Sequence, residues 1–219
     1  MKDISQSELG RQLKKPAGEY GLQVGESMNS SNNSIYDFVL SQLVMADDME
    51  ILEIGFGNGK FIPKYFQINP NIRFSAIDFS ELMCSEARII NKNLIHDNKL
   101  TIKCEDSISM SFAKDYFDLV VTINTVYFWE PIEKQLAEIK RVMKNGGLLF
   151  IGYRPKSVMK DLPFAREVFN LFEPEDLQMI VQQQGFKIVK EEIQTTHRVS
   201  VNGSVVHSAD ICLIAEKTL

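Results

Sequence analysis

Residues 51–60 read Ile51-Leu52-Glu53-Ile54-Gly55-Phe56-Gly57-Asn58-Gly59-Lys60. An apolar run holds one carboxylate and then three glycines at alternate positions. The pattern reads as a buried strand that turns sharply into a helix, with bare backbone facing a ligand. In an open α/β sheet such a turn lies at the carboxyl end of a strand, where nucleoside cofactors bind.

Outward from this turn the chain alternates between strands and helices. The first strand is expected at roughly 49–55, and Gly59 opens a helix carrying Phe61, Ile62, Tyr65 and Phe66. Pro63 falls in its first turn, where a missing N–H costs little. Further strands are expected at 72–78, 100–104, 117–124 and 148–153. Ser80 is a natural cap for a helix whose buried side is Leu82, Met83, Ala87, Ile90 and Leu94. Pro131 starts another helix, with Ile132, Leu136, Ile139 and Met143 on one face, and Asn145-Gly146-Gly147 ends it. A last helix begins at Pro174, and Gly185 closes it. Two long strands follow at roughly 186–199 and 205–217, joined through Asn202-Gly203, a strong hairpin signal.

Five apolar strands alternating with helices belong in a parallel sheet covered on both faces. The expected fold is therefore α/β: a single Rossmann-like domain over 1–219, with a seven-stranded, mostly parallel sheet and an antiparallel C-terminal hairpin. Residues 1–46 form an N-terminal arm and helix that cap the cofactor site, and residues 47–219 the α/β core. Within the arm, residues 1–34 are polar and glycine-punctuated, which suggests a mobile segment. Ser34 is expected to cap a helix bearing Ile35, Phe38, Val39 and Leu43.

Composition excludes several classes. With 219 residues, 44% hydrophobic and 24% charged, the chain suits one globular domain with a sizeable core. A net charge of -5 disfavours broad contact with a phosphate backbone, so no nucleic-acid partner is expected. No apolar run approaches the ~20 residues needed to cross a bilayer. Cys84, Cys104 and Cys212 are odd in number and far apart, as reduced thiols of a cytoplasmic protein would be. No metal-ligand spacing is visible.

The glycine spacing narrows the cofactor. A dinucleotide-binding turn uses G-x-G-x-x-G, which would place its third glycine at residue 60, where this chain has Lys60. The glycines fall instead at Gly55, Gly57 and Gly59, with Glu53 two residues before the first. A carboxylate there would repel a pyrophosphate arriving at a helix N-terminus. It would suit a cationic ligand. S-adenosylmethionine carries an α-ammonium and a sulfonium and no phosphate.

At this point the sequence resembles the class I S-adenosylmethionine-dependent methyltransferases, in their small-molecule branch. The resemblance covers most of the chain. In that family an acid-x-G-x-G-x-G turn holds the methionine portion of the cofactor, which fits Glu53, Gly55, Gly57 and Gly59. An acid ending the second strand holds the ribose hydroxyls, which fits Asp78. An acid after the third strand and the residues beyond it meet the adenine, which fits Asp106, Ser107 and Ile108. Phe56, Phe79 and Asn124 adjoin these positions and complete the implied cofactor set. Tyr116 to Val120 and Leu136 to Gly147 match the family's later elements, although Asn145 stands where proline is usual. The amino-terminal text from Arg11 to Asn32 is also similar to bacterial members, in which the arm packs over the cofactor. S-adenosylhomocysteine would be the product.

The implied acceptor is a small molecule, with Met28, Tyr127, Trp129 and Tyr153 as its expected walls. Phe128 is read as core, and Tyr127 and Trp129 divide between packing and a substrate wall. Amino-group methylases of DNA and protein often carry Asn/Asp-Pro-Pro-aromatic after the fourth strand; this chain has Asn124-Thr125-Val126-Tyr127. Met159, Leu162, Phe164, Phe169 and Phe172 suit either a short core helix or a lid. No catalytic base is evident; Tyr127 and His197 are candidates and no residue is assigned the role. Two rivals stand beside this reading: a nicotinamide-dependent oxidoreductase, and a non-catalytic binding protein of the same fold.

Overall fold

The structure, a computed structural model, describes residues 4–199 and 205–218, with side chains described up to 195 and from 208 onward. Two helices lead the chain, α1 (Gln6–Lys14) and α2 (Gly18–Leu40). The alternating part follows as β1 (Glu50–Ile54), α3 (Ile62–Ile68), β2 (Arg73–Asp78), α4 (Glu81–Ile90), α5 (Lys92–His96) and β3 (Leu100–Cys104). Then come β4 (Phe117–Ile123), α6 (Ile132–Val142), β5 (Met143–Tyr153), the short α7 (Lys156–Met159) and α8 (Pro174–Gln183). The hairpin is β6 (Phe186–Val199) and β7 (Val205–Lys217); its turn at Asn202-Gly203 lies outside the described residues.

The seven strands form one sheet in the order β3-β2-β1-β4-β5-β7-β6. β1 to β5 pair in parallel, and β7 runs antiparallel to both β5 and β6. The expected fold class is thus observed. Strand order reverses between β1 and β4, and the crevice above that pair is where a doubly wound sheet takes its ligand. Because side chains alternate along a strand, the sheet supplies two cores. Ile51, Leu119 and Val121 face α2, α3 and α4; Leu52, Ile54 and Val120 face α6 and α8.

Three expectations are corrected. The polar stretch before residue 35 is helical, and Ser34 lies inside the 23-residue α2 instead of capping a shorter helix. Glycine, asparagine and serine have poor helix propensity, but packing overrides it. A Cβ at Gly21 would sit 2.8 Å from Leu82 Cδ2, and one at Gly25 would sit 3.2 Å from Met83 Cε. These glycines let α2 lie close on α4. The second correction concerns α4: Ser80 caps it by accepting from the Met83 N–H at 3.2 Å, but Ile90 is exposed and Leu94 belongs to the separate α5. Third, α6 ends at Val142, and Asn145-Gly146-Gly147 falls inside a long β5. Phe117 pairs with Met143 across a register shift, so pairing to β4 begins earlier than the glycines suggest.

Candidate functional site

A cavity of about 440 Å³ opens above the carboxyl ends of β1, β2 and β4. Its floor is the glycine turn. Gly55, Gly57 and Gly59 all have positive φ, at 77°, 59° and 73°. They serve different purposes. A Cβ on Gly55 would lie 2.1 Å from Thr125 Cγ2, in the cavity wall, and one on Gly59 would lie 2.7 Å from Ala87 Cβ, so these two permit close packing. A Cβ on Gly57 would meet nothing within 4 Å, so this residue leaves its backbone bare toward open space. Gly57 lines the cavity and Gly59 does not.

Asp78 ends β2 beside this turn. Its Oδ2 accepts the Gly57 N–H at 3.1 Å and its Oδ1 accepts the Ser80 N–H at 2.8 Å. The carboxylate therefore pins the glycine turn to the next strand. Burial pushes its pKa up to about 6, against the lowering effect of the two N–H donors. Ser80 then donates to the Pro16 carbonyl at 2.6 Å, fastening the α1–α2 connection over the same corner.

Glu53 does not line the cavity. It lies one layer beneath, with 1% of its surface exposed. Tyr36 of α2 lines the cavity in its place and donates its hydroxyl to Glu53 Oε1 at 2.8 Å. The Tyr36 ring stacks on Phe61 with centroids 3.9 Å apart. Glu53 Oε2 has no partner among the described residues, and neither has the enclosed Tyr65 hydroxyl that faces the same carboxylate. Burial drives the Glu53 pKa up to about 7, and the Tyr36 hydroxyl, together with the facing Tyr65 hydroxyl just beyond ordinary hydrogen-bond geometry, opposes it. A buried carboxylate one layer beneath the cavity favours a cationic ligand above it through its field.

Asp106, Ser107 and Ile108 line the cavity where β3 ends, with Asp106 Oδ1 accepting the Ile108 N–H at 3.1 Å. Phe56, Phe79, Asn124, Met28 and Trp129 line it too. Asn124 adopts a left-handed conformation, φ 57°, and its Nδ2 donates to Asn32 of α2 at 3.1 Å. Tyr153 is buried below and does not reach the cavity. Phe128, read as core, is half-buried and stands in the cavity wall against Phe169, with centroids 4.7 Å apart. Met159, Leu162, Phe164 and Phe169 form the roof, facing Leu9 and Leu13 of α1. A Cβ on Gly10 of α1 would sit 2.6 Å from the Phe164 carbonyl, so roof and arm meet closely.

Tyr127 lines the cavity, but its hydroxyl is occupied. It accepts from the Arg154 N–H and lies 3.1 Å from Asn124 Oδ1 and 3.2 Å from the Arg154 carbonyl. Burial raises its pKa further. The geometry makes it a tie between the ends of β4 and β5. Tyr127→Phe is accordingly expected to lower stability by about 1 kcal/mol while leaving the pH profile of turnover unchanged. A lost pH dependence, with the fold kept, would instead make Tyr127 the base. The side chain of His197 lies outside the described residues.

Three participants escaped the sequence reading: Tyr36, Gln135 and the Arg154–Asp210 pair. Arg154 donates to Asp210 at 2.9 Å and to the Ser31 carbonyl at 2.9 Å, locking α2 to the β5–β7 end. Nothing in local spacing marks these residues. Their partners are 17 to 123 positions away for Tyr36 and Arg154.

Comparison with known proteins agrees with this architecture. The family described as a methyltransferase domain matches residues 52–151. The chain is 25% identical over 170 residues to malonyl-[acyl-carrier protein] O-methyltransferase of Bacillus cytotoxicus, matching 78% of this chain but only 56% of that protein. It is 25% identical over 174 residues to the uncharacterized methyltransferase YdaC of Bacillus subtilis, covering 77% of this chain and 92% of that one. Among solved structures, phosphoethanolamine N-methyltransferase 2 of Haemonchus contortus, in complex with phosphomonomethylethanolamine and S-adenosylhomocysteine, superposes with a TM-score of 0.73 at 14% identity, over 100% of this chain and 61% of that one. Residues 52–151 thus match a methyltransferase domain, and the chain as a whole is similar in sequence and fold to methyltransferases.

Proposed function

We propose that this protein transfers the methyl group of S-adenosylmethionine to a small, largely apolar acceptor. The observation that carries the reading is the bare Gly57 backbone between Asp78 and the Glu53–Tyr36 pair, at the switch point of the sheet. The methionine portion would lie on the glycine turn, within the field of Glu53, with Phe56 and Asn124 beside it. The ribose would meet Asp78, and the adenine would lie among Phe79, Asp106, Ser107 and Ile108. The sulfonium activates the methyl group, so the protein's work is alignment and exclusion of water.

The acceptor's character follows from the remaining walls. Leu9, Leu13, Met28, Phe128, Trp129, Phe164 and Phe169 are apolar, and Arg154 is neutralised by Asp210. A molecule of this kind would be enclosed between helices α1 and α2 and the roof, within one domain. We further propose a cytoplasmic setting, on the free thiols of Cys84, Cys104 and Cys212.

Calorimetric titration with S-adenosylhomocysteine, with NADH run in parallel, tests the reading. Micromolar binding of the former alone is expected. Binding of NADH alone would replace this reading with an oxidoreductase. Once binding is seen, a labelled methyl donor identifies acceptors.

A further inference from the structure

Gln135 is a neutral polar side chain with no local reason to be buried. It sits on the inner face of α6 between Ile132, Leu136 and Ile139, where the helical spacing calls for another apolar residue. It is 6% exposed, lines the cavity, and its Oε1 is fully enclosed with no hydrogen-bond partner among the described residues. An unmet amide oxygen in such a place is costly, and an apolar side chain would remove the cost. One turn further along α6, Glu138 accepts the Met110 N–H at 2.7 Å, and Arg141 donates to the carbonyls of Met110 and Phe112 at 2.9 Å each. These bonds hold α6 against the segment that follows β3. Gln135, one turn earlier on the helix, lines the same cavity as Asp106, Ser107 and Ile108, which lie just before that segment in the chain.

Resting on the cofactor reading above, we propose that Gln135 recognises the adenine of S-adenosylmethionine. A carboxamide presents one acceptor and two donors, and adenine presents an exocyclic amine next to ring-nitrogen acceptors, so the two groups pair edge to edge. Rotation about the last side-chain bond of Gln135 is soft and brings either end of its amide to the cavity. Asp106 is less suited to the task. Its Oδ1 is engaged by its own turn, and its surroundings are open to water. Gln135 thus selects a 6-amino purine, because a base without the amine leaves the amide oxygen unpaired in a closed site.

The test uses S-adenosylhomocysteine and its analogue with unsubstituted purine in place of adenine, titrated into wild type and Gln135→Leu. Wild type should prefer the adenine compound by roughly tenfold or more, the worth of one enclosed hydrogen bond. Gln135→Leu should bind the two compounds within about twofold of each other, with S-adenosylhomocysteine weakened by about tenfold. The ligand-free Leu variant should melt at or above the wild-type temperature, since an unmet polar atom has gone. Should the Leu variant fail to fold, Gln135→Met removes the same amide with a more pliable side chain. An unchanged preference for adenine in either folded variant overturns the proposal and passes the role to Asp106. Failure of wild type to bind S-adenosylhomocysteine would overturn the cofactor reading as well, so the two failures are distinguishable.

Discussion

Asp78→Ala is expected to weaken S-adenosylhomocysteine binding by at least about 100-fold, which removes binding from the calorimetric range. Two losses add. On the proposed cofactor placement the carboxylate accepts both ribose hydroxyls, and hydrogen bonds to a charged acceptor contribute about 1.5–3 kcal/mol each. It also holds the Gly57 N–H at 3.1 Å and the Ser80 N–H at 2.8 Å. Without it the glycine turn loses its anchor to β2. Asp78→Asn keeps one acceptor oxygen and should fall between wild type and Ala. The check pairs calorimetry with a melting curve. A folded Asp78→Ala protein that binds like wild type would remove the ribose from this corner.

The second large effect is a dependence of cofactor affinity on pH that runs through Glu53. Burial has raised its pKa from 4.5 to about 7 in the ligand-free protein. On the proposed placement the α-ammonium of the cofactor comes above Tyr36 and favours the ionised carboxylate. Affinity is therefore expected to rise on the order of tenfold between about pH 6 and 8, and binding near neutral pH should release a proton. Comparing heats in buffers of different ionisation enthalpy counts that proton. Glu53→Gln should abolish the release and bind weakly at every pH. A Gln variant with the wild-type pH profile would show that another group carries the proton.

The same shift makes a prediction about stability without ligand. Between pH 4.5 and about 7 the folded protein keeps a proton on Glu53 that the unfolded chain has released. Folding stability should therefore fall as pH rises through this window. Asp78, raised from 3.8 to about 6, acts in the same direction over a slightly lower range. Saturating S-adenosylhomocysteine should flatten the part of this trend due to Glu53, since the complex then keeps no more proton on it than the unfolded chain does.

The site was partly legible in the chain. Glu53, the three glycines, Asp78 and the Asp106–Ile108 segment form contiguous motifs at strand ends, and strand ends announce themselves through apolar runs. The structure brings all of these to one corner but separates their duties. Gly55 and Gly57 meet the cavity, Gly59 meets neighbouring side chains outside it, and Glu53 acts from beneath Tyr36. Tyr153 has the same local appearance as Tyr127 and lies below the cavity. The side to which a strand-end residue points depends on the register of β5 against both β4 and β7, which no local pattern encodes.

By itself the sequence determined the periodic features of this protein. Apolar runs, turn residues and caps set the alternation of strands and helices, the hairpin boundaries and the glycine turn, because each depends on interactions within a few residues. The tertiary structure alone decided the rest. It made a 23-residue helix of a glycine- and serine-rich stretch, because α4 offers that helix a close-packed face. It ran β5 back through Gly146-Gly147 to Met143, because Met143 pairs with Phe117 of β4 beyond a register shift, before the antiparallel β7 joins at Leu148. It also placed Tyr36 on Glu53 and turned Gln135 toward the cavity, since a buried polar group acquires meaning only from what the fold sets beside it.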